Sequence, residues 1–349
     1  MARLAVVLFN LGGPDRPEAV QPFLFNLFSD PAIIGLPQPL RWLVARLISA
    51  RRAPVARKIY DHLGGGSPLL ANTELQARAL EAALAGEAKV FIGMRYWRPF
   101  ASETAAAVKA FAPDRVVLLP LYPQYSTTTT GSSLDDWRRA AKAVGLKAPT
   151  AALCCYPTER GFVSALAEAI HPALAAARVH GAPRLLLTAH GLPKKIVAAG
   201  DPYQVQIEAT AAALIAALDI ADLDWTVCYQ SRVGPLEWIG PATDEEVRRA
   251  GRDKVPVVVA PIAFVSEHSE TLVELDIEYR HLAESAGVPD YRRVPTVDAA
   301  AAFIAGLAAL VRHAAAAPAG RCVAEDDTRF CPDDPRGARC RFATPVGVA

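Results

Sequence analysis

Residues 184–189 read RLLLTA, an apolar run that ends on His190. A strand with one wet face alternates apolar and polar residues. An unbroken run is the mark of a strand buried on both faces, as in a parallel sheet covered by helices. Three further runs follow the same rule downstream or close to it, at 224–229 (DWTVCY), 256–262 (PVVVAPI) and 290–294 (DYRRV). Four more lie upstream, at 3–9 (RLAVVLF), 88–93 (AKVFIG), 115–120 (RVVLLP) and 149–154 (PTAALC). Helical periodicity fills the intervals at 73–85, 102–112, 160–177, 204–218 and 268–286. Strands alternating with helices predict an α/β chain. Two sets of four strands predict two doubly wound halves, each with a four-stranded parallel sheet. The halves divide near Pro157 into residues 1–157 and 158–316, followed by a tail at 317–349. The halves share an architecture without an internal sequence repeat.

Composition narrows the function. The chain has 349 residues, about two domains' worth. Apolar residues make up 52% and charged residues 21%, which suits packed domains and excludes a disordered chain. A net charge of +1 offers no basic face for nucleic acid. Mean hydropathy is slightly positive, yet the run at 299–311 falls short of the roughly 20 residues of a spanning helix. The opening MARLAVVLFNLGGP shows a strand-like run in place of a basic leader, so a cytoplasmic location is expected. No G-x-G-x-x-G follows the first strand, where the chain reads NLGGP, and no G-x-x-x-x-G-K-[ST] occurs, so no nucleotide is expected. The run GGGSP at 64–68 fits a tight turn better than a phosphate cradle.

In doubly wound folds ligands lie beyond the carboxyl ends of the strands. His190 occupies such a position, and an imidazole there can accept a proton or bind a metal. The segment PIAFVSEHSETLVELDIEYR at 261–280 follows another strand and carries Glu267, His268, Glu270, Glu274, Asp276 and Glu278. Glu270, Glu274 and Glu278 are spaced four apart, one stripe on a helix, where like charges repel. Such a row could lead cations in or protons out, or be a solvated face. The post-strand loops YPQYSTTTTGSS (122–133) and QSRVGPLEWIGP (230–241) carry aromatic residues, and suit a cleft for a large planar ligand. About 80 residues separate the first two strands, too many for one crossover helix. Within this insertion Ile33, Ile34, Leu36, Leu40, Trp42, Leu43, Leu47 and Ile48 interleave with Arg41, Arg46, Arg51 and Arg52. That pattern predicts either a core-packed helix or an apolar lip, near residues 30–50, touching a bilayer surface or an apolar ligand.

Several long motifs in this order resemble the ferrochelatase family: LFNLGGP, ARRAPVARKIY, GGGSP, YPQYS with TTGSS, TAHGLP with GDPY, YQSRVGPLEWIGP and PIAFVSEHSETLVELDIEY. The resemblance covers nearly the whole chain and implies a chelatase-like fold of two Rossmann-like halves without nucleotide. It implies a lyase that inserts Fe(II) into protoporphyrin IX with release of two protons, in the last step of haem synthesis. By motif, His190 and Glu270 match the metal- and proton-handling pair, and His268, Glu274 and Glu278 continue the path on a segment that contains π-helix in the family. Arg52, Tyr60 and Ser67 match porphyrin-contacting positions; Leu11, Arg95, Tyr122, Trp238 and Phe264 match cleft residues. The lip resembles the mouth of members that work at the membrane, so a peripheral position on the cytoplasmic face is expected. The alternatives left open are a chelatase for another tetrapyrrole, such as coproporphyrin III or a cobalt-using corrinoid precursor, and a non-catalytic tetrapyrrole-binding protein. The sequence leaves oligomeric state open.

Three of the six cysteines, Cys322, Cys331 and Cys340, lie in the tail. Some members of the family hold a [2Fe–2S] cluster with three C-terminal cysteines and one internal cysteine. The family's internal cysteine has no counterpart at a matching motif here; Cys155, with Cys154 as its alternate, stands after a strand in the first half and is the expected substitute, and idle thiols or zinc are the competing readings. Cys228 falls inside a strand and is expected to be a small buried apolar residue.

Overall fold

The computed structural model describes residues 3–232, 234–320 and 322–325. They form two units. One holds the residues up to Tyr156 together with those from Leu307 onward; the other holds Pro157–Gly306.

In the first unit β1 (Leu4–Asn10) lies between β2 (Ala88–Met94) and β3 (Arg115–Pro120), and β4 (Thr150–Leu153) lies beyond β3. All are parallel, with Leu4 in register with both Ala88 and Arg115. Residues 5–8 are fully buried, which is why their run does not alternate. One face packs Val7, Phe9 and Leu118 on Leu134 and Trp137 of α5 (Ser132–Val144). A two-residue strand, β9 (Cys322–Val323), extends the expected four strands to five. The Cys154 N–H donates to the Val323 carbonyl at 2.9 Å and the Gly320 N–H to the Thr150 carbonyl at 2.8 Å, so the tail enters the sheet through main-chain bonds that its side-chain pattern could not announce.

In the second unit β5 (Arg184–His190) lies between β6 (Asp224–Gln230) and β7 (Val257–Pro261), and β8 (Tyr291–Arg293) lies beyond β7. Both sheets therefore order their four main strands second, first, third, fourth. In each, successive connections leave the first strand in opposite directions, opening a crevice between the first and third. In the second unit that switch point lies between the ends of β5 and β7, where His190 and residues 264–270 are found.

The last helix, α11 (Ala301–Ala316), divides at Gly306. Its second half belongs to the first unit, where Arg312 pairs with Glu87 at 2.7 Å and Arg115 bonds the Ala317 carbonyl. Residues 307–316 thus leave the half to which their sequence position points. The apolar helix α6 (Arg160–Ala177) is a core helix of the second unit, burying Phe162, Leu166, Ile170 and Leu174.

The insertion after β1 forms α1 (Val20–Phe28) and α2 (Gln38–Asp61). Small residues Ala45, Ser49 and Ala53 face inward on α2. Leu36, Leu40, Trp42, Leu43 and Leu47 are exposed, Leu47 by 62%. The interleaved apolar residues therefore belong mostly to an open surface and not to a core-packed helix. The 122–133 stretch is not a plain loop: Ser126 caps a π-helix (Thr127–Gly131) that runs into α5.

Candidate active site

His190 is the last residue of β5 and its side chain is 40% exposed. Its Nδ1 lies 2.6 Å from the Gly191 carbonyl. A carbonyl only accepts, so Nδ1 carries the hydrogen and the neutral ring keeps its lone pair on Nε2. Nε2 faces Glu270 Oε1 at 3.6 Å, too long for a hydrogen bond. Gly191 lies close beside it: a Cβ there would crowd the Gln230 carbonyl at 3.0 Å and Trp238 at 3.2 Å.

Glu270 opens the π-helix Glu270–Glu278. Its Oε2 lies 3.2 Å from His268 Nε2, while His268 Nδ1 faces the Ser266 carbonyl at 3.0 Å. Both partners accept only, so His268 is doubly protonated when both bonds form. Burial opposes its charge, but Glu270 outweighs burial and raises its pKa. Burial also opposes ionisation of Glu270, yet His190 in its protonated form, together with His268, holds its pKa down to about 2. The Phe264 ring meets that of His268 edge-on, 4.7 Å between centroids.

Four residues on, Glu274 behaves in the opposite way. Burial raises its pKa, and the charge of Glu270 raises it further, against hydrogen bonds from Ser231 and Gln230. Neighbouring carboxylates pushed apart in this manner divide into a fixed anion and a proton acceptor. Glu278 is exposed at the far end of the π-helix. The other two carboxylates of the run leave the row: Arg293 grips Asp276 with two nitrogens, at 2.9 and 2.5 Å, and Glu267 at 2.5 Å. The six-residue cluster thus resolves into Glu267 and Asp276 around Arg293, His268, Glu270 and Glu274 in the second unit with His190, and exposed Glu278. Trp238 is half-buried beside Gly191, and a bridge joins it to Pro193. Tyr203, within GDPY, is buried with its phenol bonded to the main chain of His190.

The first unit carries the remaining expected residues. Ser67 sits where the two glycine loops meet. Its N–H donates to the Pro14 carbonyl at 2.7 Å, and a Cβ on Gly13 would lie 2.5 Å from it. The GGGSP run is thus a turn packed against LGGP, with Gly64 and Gly65 in the left-handed region. Leu11 and Tyr60 belong to one apolar cluster, with Tyr60 buried. Arg52 is exposed, its guanidinium 5.8 Å from the Phe28 ring centre. The Tyr122 hydroxyl is buried, which pushes its pKa up. Arg95 is held rather than free: Nη2 meets Asp30 at 2.8 Å, Nε donates to Ser132 at 2.6 Å, and the guanidinium lies over the Tyr96 ring. It also lines a cavity of about 500 Å³ with Asn26, Ser29, Phe100 and Asp136.

Cys154 and Cys155 are buried at the end of β4, their sulfurs 3.5 Å apart. β9 pairs the main chain of Cys322 with Ala152. Cys331 and Cys340 lie outside the described residues. Among the described residues no group of three or more His, Cys, Asp or Glu side chains could hold a metal ion. Cys228 is buried in β6, and burial drives its thiol up to about 12.

Gln230, Ser231, Tyr203, Asp30 and Arg293 take part in these networks without a role assigned from sequence; Gln230 and Ser231 were marked only as part of the post-strand loop 230–241. Gln230 and Ser231 carried a signal, standing directly after a strand. Arg293 carried another, an arginine in a strand beside buried Tyr291. Asp30 carried none.

A family model for ferrochelatase matches residues 3–315. A ferrochelatase of Caulobacter vibrioides is 59% identical over 315 residues, covering 89% of this chain and 90% of that protein. One of Phenylobacterium zucineum is 60% identical over 311 residues, covering 88% and 90%. One of Wolbachia pipientis is 52% identical, covering 88% and 98%. Among solved structures, the sirohydrochlorin chelatase SirB of Bacillus subtilis subspecies spizizenii, in complex with cobalt, is similar in fold. Its TM-score is 0.53 at 10% identity, covering 90% of this chain and 96% of that one. The chain belongs to the ferrochelatase family, the lyases that insert ferrous iron into protoporphyrin in haem synthesis.

Proposed function

We propose that His190 and Glu270 are the pair through which this chelatase receives Fe(II) and removes the two pyrrole protons of protoporphyrin IX. The observation that carries the reading is the open Nε2 lone pair of His190 facing an ionised Glu270 at 3.6 Å. Nε2 is the base for a pyrrole N–H. Glu270 stabilises the imidazolium that forms, and its anion persists because His268 pairs with its other oxygen. Nitrogen and oxygen donors hold Fe(II) without trapping it, as suits an ion to be passed on. Each proton passes from Nε2–H to Glu270, which returns to its anion by handing it to Glu274, whose pKa is raised, and then to exposed Glu278, so that Nε2 is free to take the second pyrrole proton. For the first unit, taken by itself, the porphyrin contacts are Arg52, Tyr60, Ser67, Leu11, Arg95 and Tyr122, Arg52 pairing with a propionate; for the second they are Trp238 and Phe264.

The exposed apolar residues of α2 and its approach, flanked by Arg41, Arg46, Arg51 and Arg52, rest on the cytoplasmic face of the inner membrane. Leucine and tryptophan enter the interface and arginines meet anionic headgroups. This favours apolar protoporphyrin over coproporphyrin III.

The tail holds a [2Fe–2S] cluster on Cys155, Cys322, Cys331 and Cys340. In support, β9 carries the main chain of Cys322 alongside β4, the strand that leads to Cys154 and Cys155. Thiolates are the ordinary ligands of such clusters. When bound, the cluster would tie Cys331 and Cys340 to Cys155 at the end of β4.

One anaerobic cuvette tests the reading. Protein alone should show iron–sulfur bands; added Fe(II) and protoporphyrin IX in detergent should give the haem spectrum at a catalytic rate. His190→Ala should bind porphyrin and insert no iron. Binding without insertion by the wild type would favour the non-catalytic carrier.

A further inference from the structure

The π-helix is gripped from the side by two residues with no part in the iron-insertion reading above. Gln230, the last residue of β6, is 1% exposed and in register with His190. Its main-chain carbonyl accepts the Gly191 N–H at 2.8 Å. Its side-chain oxygen accepts from Thr188 at 3.1 Å, which orients the amide. The amide nitrogen then spends both hydrogens, one on the Glu270 carbonyl at 2.9 Å and one on Glu274 Oε2 at 3.1 Å. One side chain thus joins the strand that presents His190 to the helix that presents the carboxylates.

Ser231 completes the grip with a strained backbone. Its φ is +60°, in the left-handed region that residues with a Cβ avoid. That conformation aims its N–H at Glu274 Oε1, at 2.8 Å, and its hydroxyl reaches Oε2 at 2.5 Å. Tyr279 adds a fourth donor at 3.2 Å. Strain of this kind persists where surroundings over-determine it, and it gathers at functional sites.

We propose that Gln230 and Ser231 are positioning residues for iron insertion, a clamp that fixes the Glu274 carboxylate as the proton acceptor one step beyond Glu270. The inference rests on the proposed path through Glu274. The clamp presents three donors to a side chain that would otherwise sample several rotamers, so the acceptor is in place before each proton arrives.

The test compares Gln230→Met, Ser231→Ala, Glu274→Gln and the Gln230→Met/Glu274→Gln double variant in the full-length enzyme. The kcat for Fe(II) insertion and the KM for protoporphyrin are measured, with thermal melts alongside. Gln230→Met keeps the length of the side chain and removes both donors; Ser231→Ala keeps the Cβ and removes the hydroxyl. Each single clamp variant should lower kcat roughly tenfold, the rate equivalent of one charged hydrogen bond, with KM for porphyrin unchanged. In the Glu274→Gln background Gln230→Met should cost less than about twofold more, since the group it positions has gone. Wild-type kcat in Gln230→Met and Ser231→Ala, with Glu274→Gln slow, overturns the clamp and spares the path. An undiminished loss in the double variant also overturns it, by assigning Gln230 a purely structural role. A wild-type rate in Glu274→Gln overturns the proton path and the clamp with it.

Discussion

Replacing Asp30 by Asn should cost far more stability than one atom suggests. Asp30 Oδ1 accepts the Ala32 N–H at 2.8 Å. Oδ2 accepts from Arg95 at 2.8 Å, from the Tyr96 hydroxyl at 2.7 Å and from the Ser132 hydroxyl. Both oxygens face donors only. An amide has one accepting end, so either orientation turns an N–H₂ group onto buried donors. One unsatisfied buried group costs about 1–3 kcal/mol. Arg95 also loses its close counter-charge, with its side chain 13% exposed and Asp136 3.7 Å away. Breaking a buried pair from one side costs about 3–5 kcal/mol, and the two costs overlap because they share Oδ2. We expect about 3–5 kcal/mol in total. For a domain of this size that lowers Tm by roughly 6–20 °C. Urea titration and calorimetry of the full chain measure it. Asp136→Asn is the control; its carboxylate is partly exposed and shared with Arg139, so it should cost under about 1 kcal/mol. An Asp30→Asn protein within 1 kcal/mol of wild type would refute the claim that this node depends on a two-oxygen acceptor.

Other expectations are checked more simply. Gly161→Ala should destabilise the second unit by about 1–3 kcal/mol, because its Cβ would lie 2.3 Å from the main-chain oxygen of Ala302; a neutral urea midpoint would contradict that close approach. Burial raises the pKa of Glu267, but Arg293 and its hydrogen bonds outweigh this and lower it below the ordinary 4.5. The folded state then binds fewer protons than the unfolded one, so Glu267 contributes stability above about pH 4.5 that is lost as pH falls through the folded value. Glu267→Gln should accordingly flatten the loss of stability between about pH 5 and pH 3; an unchanged slope counts against the pair. Ser at Cys322, Cys331 or Cys340 should abolish cluster absorbance, and colour surviving all three changes would remove the tail as the ligand source. Glu270→Gln should slow insertion at least tenfold, measured by haem absorbance; an unchanged rate would remove it from the chemistry.

Strands β1, β3, β4, β5 and β7 were legible because each is buried on both faces, and such strands leave unbroken apolar runs in the sequence; β2, β6 and β8 are only partly buried and left weaker runs. His190 was legible for a related reason, since a polar residue ending such a run stands at the carboxyl edge of a parallel sheet. The apolar lip was legible as a pattern, but whether it faced core or solvent was not. That turned on α2 presenting its small residues inward, a choice periodicity leaves open in a helix with apolar residues on more than one side. The acidic row was also legible only as composition. Glu267 and Asp276 are spent on an arginine 17 to 26 positions away, and nothing local marks them as different from Glu270 and Glu274. Asp30, 65 residues from Arg95, and the fifth strand at Cys322–Val323 were beyond reach for the same reason. Amphipathic pattern and strand burial are properties of neighbouring residues and are written locally. Ion pairing, hydrogen-bond saturation and the direction of a pKa shift depend on which distant groups the fold brings within 4 Å, and that is decided only when the chain closes on itself.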